Sequence, residues 1–252
     1  MNALSRSFPL LILVVAALAS IFGCSTGDQG QAKLEDRVQA LEGQIESLNA
    51  TLAAVEAKLA HVSVAQGAIN GVNGPHLIIE GCNVHVRDGS GATRADEAPN
   101  GLGNLIVGYN ELSERPKFVR TGSHNVVIGS EHGYPSFAGL VAGQQNAITM
   151  SFASVTGGTM NVAGAMYSSI SGGRNNEALG GYSSVSGGAN NSVRGGGASI
   201  LGGMNNSVTG GYSSISGGSD NTVGSGGASI SGGRNNEASS VASSVSGANN
   251  QP

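Results

Sequence analysis

Tryptophan is absent from this 252-residue chain, aromatic residues make up 4 % of it and charged residues 11 %. Large side chains normally fill a single deep core, so this scarcity excludes an ordinary enzyme-like globule. Twelve Lys and Arg against sixteen Asp and Glu leave a net charge of −4, which excludes a nucleic-acid partner. The small net charge and the plentiful β-branched residues also argue against simple disorder. Acidic residues nearly vanish from the C-terminal part: residues 151–252 hold only Glu177, Asp220 and Glu237. A calcium-binding nonapeptide roll needs a carboxylate in each turn, and that is missing. All five histidines, His61, His76, His85, His124 and His132, also precede residue 151. The many serines there therefore have no base beside them, and no nucleophile-elbow phrase lies between a strand and a helix. Glycine, by contrast, is abundant at 42 residues of 252. The glycines come in pairs rather than at every third position, which excludes collagen and directs attention to a longer period.

The first 24 residues read MNALSRSFPLLILVVAALASIFGC. Arg6 precedes an apolar run, Leu10 to Ile21, that is too short for a committed membrane span, so residues 1–23 read as a secretory signal. The stretch Ile21-Phe22-Gly23-Cys24 resembles the lipobox of bacterial lipoproteins, with Phe22 departing from the usual small or β-branched residue. That resemblance implies cleavage before Cys24 and lipidation of Cys24, with residues 24–32 as lipidated cysteine and tether. Several acyl chains hold a protein stably on a bilayer. Ser25 stands where enterobacterial lipoproteins retained at the inner membrane carry Asp. The expected location is therefore the outer membrane of a bacterial envelope, on its surface or its periplasmic side. With Cys24 acylated, Cys82 has no intrachain disulfide partner; it reads as a small buried side chain or as an interchain bridge.

Leu34, Val38, Leu41, Ile45, Leu48, Leu52, Val55, Leu59 and Val62 follow one another at alternating spacings of four and three. This is a heptad seam, with Glu35, Arg37, Glu42, Glu56 and Lys58 beside it, and it predicts a coiled-coil stalk over residues 33–63. One helix cannot bury so narrow a stripe by itself, so the stalk calls for an oligomer. Its residue types leave two and three strands both open.

Residues 64–103 form a transition segment. Leu77-Ile78-Ile79 and Val84-His85-Val86 read as short strands, with His85 facing solvent, and the stretch from Gly89 to Gly103 reads as a loop. His76, Cys82, His85 and Asp88 are the densest set of metal-ligand types, yet their spacing matches no zinc pattern. No metal, cofactor or catalytic residue is assigned.

From residue 104 to 250 the chain repeats. Val155, Ile170, Val185, Ile200, Ile215, Ile230 and Val245 are spaced by 15 residues, Val127 and Val141 precede them at 14, and Ile106 marks an earlier coil. The unit is roughly S-S-I-S-G-G-x-N-N-x-V-x-G-G-Y. Each unit predicts a strand with one inward branched residue, a corner at the glycine pair with φ > 0, Asn-Asn, and a second strand carrying Ala178, Val193, Val208, Val223 or Ala238. One unit cannot fold alone, but stacking pairs each backbone with the next coil. The fold class is thus mainly β, a parallel β-solenoid of about ten coils after an N-terminal α-helical coiled coil, with Ser and Asn ladders along its surface.

The runs HNVVIG, GLVAGQQN and SSISGGRNN resemble the YadA-like head repeats of trimeric autotransporter adhesins. The resemblance implies a left-handed β-roll, a homotrimer with its branched residues packed at the trimer axis, and an adhesive role towards an extracellular protein or glycan. The family's order of head, stalk and C-terminal barrel is reversed here, and the lipid on Cys24 takes the barrel's place as anchor. The expected adhesive surface is the Ser/Asn face with the loops at Glu111–Arg120 and His132–Phe137. A solenoid hydrolase or lyase, a calcium-binding repeat and an ice-binding repeat are the alternatives, the last resting on the Ser169/Ser171-type hydroxyl array that Leu201 interrupts.

Overall fold

The computed structural model describes residues 28–94, 98–112 and 119–247. The expected signal, residues 1–23, and the lipidation site Cys24 lie outside them. The chain divides into two compact units, with the boundary in sequence between Asn83 and Val84.

In the first unit one α-helix, α1, spans Asp28–Lys58. At 1.5 Å per residue, its 31 residues are about 46 Å long. Ala, Leu, Glu, Gln and Lys dominate it, all good helix formers. It begins inside the expected tether and stops before the expected end at residue 63. Leu59 lies in the turn after the helix, and Val62 opens strand β1, Val62–Ala65. Two periodicities compete here. The four-three spacing runs on to Val62, but Val62 and Val64 also alternate as strand residues. The strand prevails because β2, His76–Ile79, pairs antiparallel with β1. The connecting loop is pinched by a turn in which the Ile69 and Val72 main chains bond to each other, with Asn70 and Gly71 between them at φ 50° and 80°. Positive φ at both central positions is the geometry that Asn-Gly favours. Val84, His85 and Val86, expected as a strand, are in irregular chain.

The second unit is a parallel β-solenoid. One sheet has ten strands, running from Leu105–Val107, Val126–Ser130 and Leu140–Gln144 through two-residue strands such as Ser169–Ile170 to Ser244–Val245. A second sheet has seven, from Ala147–Ile148 to Glu237–Ala238. The register is residue on residue across coils: Ser184 pairs with Ser169 and Ser199, and Val185 with Ile170 and Ile200. A third row of single parallel bridges links Gln144, Thr159, Arg174, Ala189, Met204, Ser219 and Arg234.

The core is two columns of side chains. Val127, Val141, Val155, Ile170, Val185, Ile200, Ile215 and Ile230 form one, each at most 1 % exposed. Ile148, Ala163, Ala178, Val193, Val208, Val223 and Ala238 form the other. The first column corrects the expectation of packing at a trimer axis: these side chains are enclosed within a single chain and have no surface left for another. Ile106 pairs with Val127, as a rung should, yet is 46 % exposed. It is the outermost strand of the sheet, so only one of its sides is covered. Val245 is half-buried on the last paired strand for the same reason.

Candidate functional surface

Each corner has a division of labour. After the inward branched residue, the first glycine of the pair is ordinary at Gly157, Gly172, Gly187, Gly202 and Gly217, and the second holds the positive φ, as in Gly188 at 85°. A Cβ on Gly188 would lie 2.1 Å from the Gly203 carbonyl oxygen of the next coil. The next residue but one, Asn190, is also left-handed at φ 57°.

The second asparagine points inward. Asn146, Asn161, Asn176, Asn191, Asn206, Asn221 and Asn236 are buried, which corrects the expectation of a purely superficial Asn ladder. The Asn191 side-chain Nδ2 donates to the Gly187 and Gly203 carbonyls at 3.1 and 3.0 Å, and its Oδ1 accepts from the Asn206 N–H at 3.0 Å. The same pattern recurs along the column. These amides satisfy corner main-chain groups that the short strands cannot reach. Only the first asparagines make an outer ladder, where Asn175, Asn190, Asn205 and Asp220 bond in series at 3.0 to 3.2 Å. The Asn205 amide and the Ser219 and Arg234 groups hold the Asp220 carboxyl below its ordinary pKa.

Three surfaces remain outside. The first is the outer side of the ten-stranded sheet. There Ser154, Ser169, Ser184, Ser199, Ser214 and Ser229 are half-buried, and Thr156, Ser171, Ser186, Ser216 and Ser231 are exposed around Leu201. The second is an aromatic column absent from the sequence reading. Phe152 stacks on Tyr167 at 5.1 Å and Tyr167 on Tyr182 at 4.9 Å, with Phe137 edge-on to Phe152 at 5.5 Å. Its sequence signal was an aromatic residue at every fifteenth position, Phe137, Phe152, Tyr167 and Tyr182. Glycine replaces it at Gly197, where a Cβ would meet the Tyr212 ring at 2.9 Å. The third surface is the helix seam. Leu34, Val38, Leu41, Ile45, Leu48, Leu52 and Val55 are each 40–67 % exposed along the full length of α1.

The expected adhesive loops are less available. His132 and Tyr134 are buried. At the Glu111–Arg120 insertion, residues 113–118 lie outside the described residues. Arg120 holds its base by donating to the carbonyls of Asn110 at 2.6 Å, of His132 at 3.0 Å and of Glu111.

His85, Arg87, Asp88 and His124 line a cavity of about 480 Å³ beside the residue 84–93 segment. Asp88 Oδ1 accepts from the Ser90 N–H at 2.8 Å and its hydroxyl at 2.6 Å, and it lies 3.4 Å from His124 Nε2. Ser90 first, and His124 to a lesser degree, hold the Asp88 carboxyl below its ordinary pKa. The Ser90 hydroxyl is directed at the carboxylate and at the Ala92 carbonyl, not at the imidazole. Among the described residues, no group of three or more His, Cys, Asp and Glu could hold a metal ion. His76 instead bonds the Val72 carbonyl at 3.1 Å, and Cys82 is exposed rather than buried.

No protein-family model matches this chain, and no curated protein matches it significantly. The surfaces themselves therefore carry the functional reading. Among the described residues no helix is long and apolar enough to cross a membrane.

Proposed function

We propose that this chain is a lipid-anchored envelope protein of homotrimeric build. In this reading α1 is a coiled-coil stalk, and the solenoid is an adhesin-like head that winds left-handed and binds an extracellular protein or glycan. The observation that carries it is the contrast between the two units. The solenoid encloses the inward branched residues of its inner coils, Val127 to Ile230, at no more than 1 % exposure, whereas α1 leaves seven heptad residues at 40–67 % exposure. Burying an apolar side chain contributes roughly 1.5–3 kcal/mol, and a two-in-seven stripe finds that burial only against another helix. The lipobox-like residues before Cys24 support the anchor. The seam allows two or three chains, and the choice of three follows the YadA-like resemblance, with the contact placed at α1 because the solenoid's branched residues are enclosed within one chain. The head offers repeated hydroxyl, amide and aromatic rows at a constant coil spacing, which suits an extended ligand.

The test is sedimentation equilibrium of the chain expressed from Ser25 onward. A mass three times that of one chain is expected, together with a helical signal by circular dichroism. Ile45→Asp should abolish both the trimer and the helical signal while the solenoid's β signal persists. A monomeric wild-type chain overturns the reading.

A further inference from the structure

We propose that the β1–β2 hairpin is a self-association element: its apolar face packs against the same face of further copies of this chain, extending the contact beyond the helix. This inference rests on the stalk reading above.

The register decides which residues share a face. Val62 lies opposite Ile79 and Val64 opposite Leu77. Side chains alternate along a strand, so these four project from one side and Ser63, Ala65, His76 and Ile78 from the other. The four are each 40–68 % exposed, whereas Ala65, His76 and Ile78 are half-buried. The more apolar side of the ribbon thus faces outward, the reverse of what a solvated hairpin does. Between residues 62 and 79 there is no Asp, Glu, Lys or Arg. Charges of that kind normally keep such ribbons apart. A lone two-stranded hairpin is also marginal in water, so its apolar face needs a partner.

The identity of the partner follows from continuity with the helix. Val62 is the last residue of the four-three spacing and the first of the hairpin's apolar face. No flexible linker intervenes. The Val62 N–H donates to the Leu59 carbonyl at 2.9 Å, and the Glu80 N–H donates to the His61 carbonyl at 3.0 Å. The His61 Nδ1–H donates back to the Glu80 carbonyl at 2.8 Å. The end of β2 is thereby clamped to the three-residue turn, Leu59 to His61, that follows α1. Helices that associate in parallel bring these hairpins together at one end, apolar face to apolar face.

Interchain disulfide formation in the full chain tests this. The Cys82→Ser parent sets the baseline, and Val64→Cys, Ile45→Cys and Ser63→Cys are added singly and oxidised with copper phenanthroline. Val64→Cys and Ile45→Cys should link chains at least fivefold more than Ser63→Cys, which lies on the opposite face. Linking at Ile45→Cys, with Val64→Cys no higher than Ser63→Cys, overturns the hairpin contact and leaves the stalk standing. Linking at Val64→Cys alone supports the hairpin contact and removes the stalk. Linking at neither overturns both.

Discussion

The Asn146 N–H donates to Nδ1 of His132 at 3.2 Å, so this histidine fills the rung that asparagine occupies in every later coil. The column continues upstream, where the His132 N–H donates to Asn110 Oδ1 at 2.7 Å. Nε2 of His132 lies 3.0 Å from the Ile128 carbonyl. That set of partners assigns the neutral ring with its proton on Nε2, donating to Ile128 and accepting from Asn146. Burial pushes the His132 pKa below its ordinary 6.5, with the nearby Arg120 charge acting the same way and the main-chain partners opposing.

A pH dependence follows. The folded state binds the His132 proton less readily than the unfolded chain does. Below pH 6.5 the unfolded state takes up more protons, and stability falls as pH drops from 6.5 towards the lower folded-state value. Above 6.5 the contribution is complete. His132→Asn should keep the rung, because Asn Oδ1, like His Nδ1, is bonded to Cγ and accepts a main-chain N–H as in the later coils, and should remove that part of the acid sensitivity. Thermal unfolding at pH 7.5 and pH 5 should show a larger drop for wild type than for the variant. Equal drops in both would refute the assignment.

The Asn column itself should be intolerant of apolar replacement. Asn191→Leu conserves volume but leaves the Asn206 N–H and the Gly187 and Gly203 carbonyls without their side-chain partner. Each buried polar group left unmet costs about 1–3 kcal/mol. The expected result is a loss of roughly 2–4 kcal/mol, with faster hydrogen exchange at the Asn206 amide than at amides several coils away, since solenoid coils couple mainly to their neighbours. Uniform acceleration along the whole solenoid would contradict a local role.

The two glycines of a corner should behave oppositely. Gly187 has nothing within 4 Å of a built Cβ, and its φ is not in the left-handed region. Gly187→Ala should therefore raise stability by about 0.4–1 kcal/mol through the unfolded chain. Gly188→Ala would place a methyl 2.1 Å from the Gly203 oxygen and 2.7 Å from Asn191 Nδ2, at φ 85°. The backbone strain alone costs about 1–3 kcal/mol, and the clash adds to it. Melting temperatures of the pair should differ in sign relative to wild type.

Much of the solenoid was legible because strands of the ten-stranded sheet each bury one branched residue, at intervals of 14 from Val127 to Val155 and of 15 from Val155 to Ile230. The sidedness of the asparagines was not read, although a signal existed. Asn176 and Ala178 flank Glu177, so period-two alternation puts both on the inner face. The adjacent Asn175, chemically identical, is turned out by its left-handed φ of 54°. The end of α1 was hidden for a different reason. Leu59 and Val62 satisfy the heptad as well as the strand, and only the distant β2 segment decides between them. Exposure at Ile106 is likewise a property of being the last rung, which no local pattern carries. The Asp88–His124 contact joins residues 36 positions apart, beyond the reach of spacing arguments.

Ser183 offers a test of how strictly the interior is tuned. Its hydroxyl is buried without a hydrogen-bond partner, whereas the equivalent Ser168 donates to the Ala165 carbonyl at 2.7 Å and Ser213 to the Ser225 carbonyl at 2.7 Å. Ala198 and Ala228 occupy the same position in their own coils and are equally buried. A methyl therefore fits there, and Ser183→Ala removes a desolvated hydroxyl without opening a cavity. The expected gain is about 1 kcal/mol. Ser168→Ala and Ser213→Ala, which each delete a made bond, should instead lose stability. Urea unfolding of the three variants separates the cases, and a loss at Ser183→Ala equal to that at Ser168→Ala would mean that the Ser183 hydroxyl has a partner in solution.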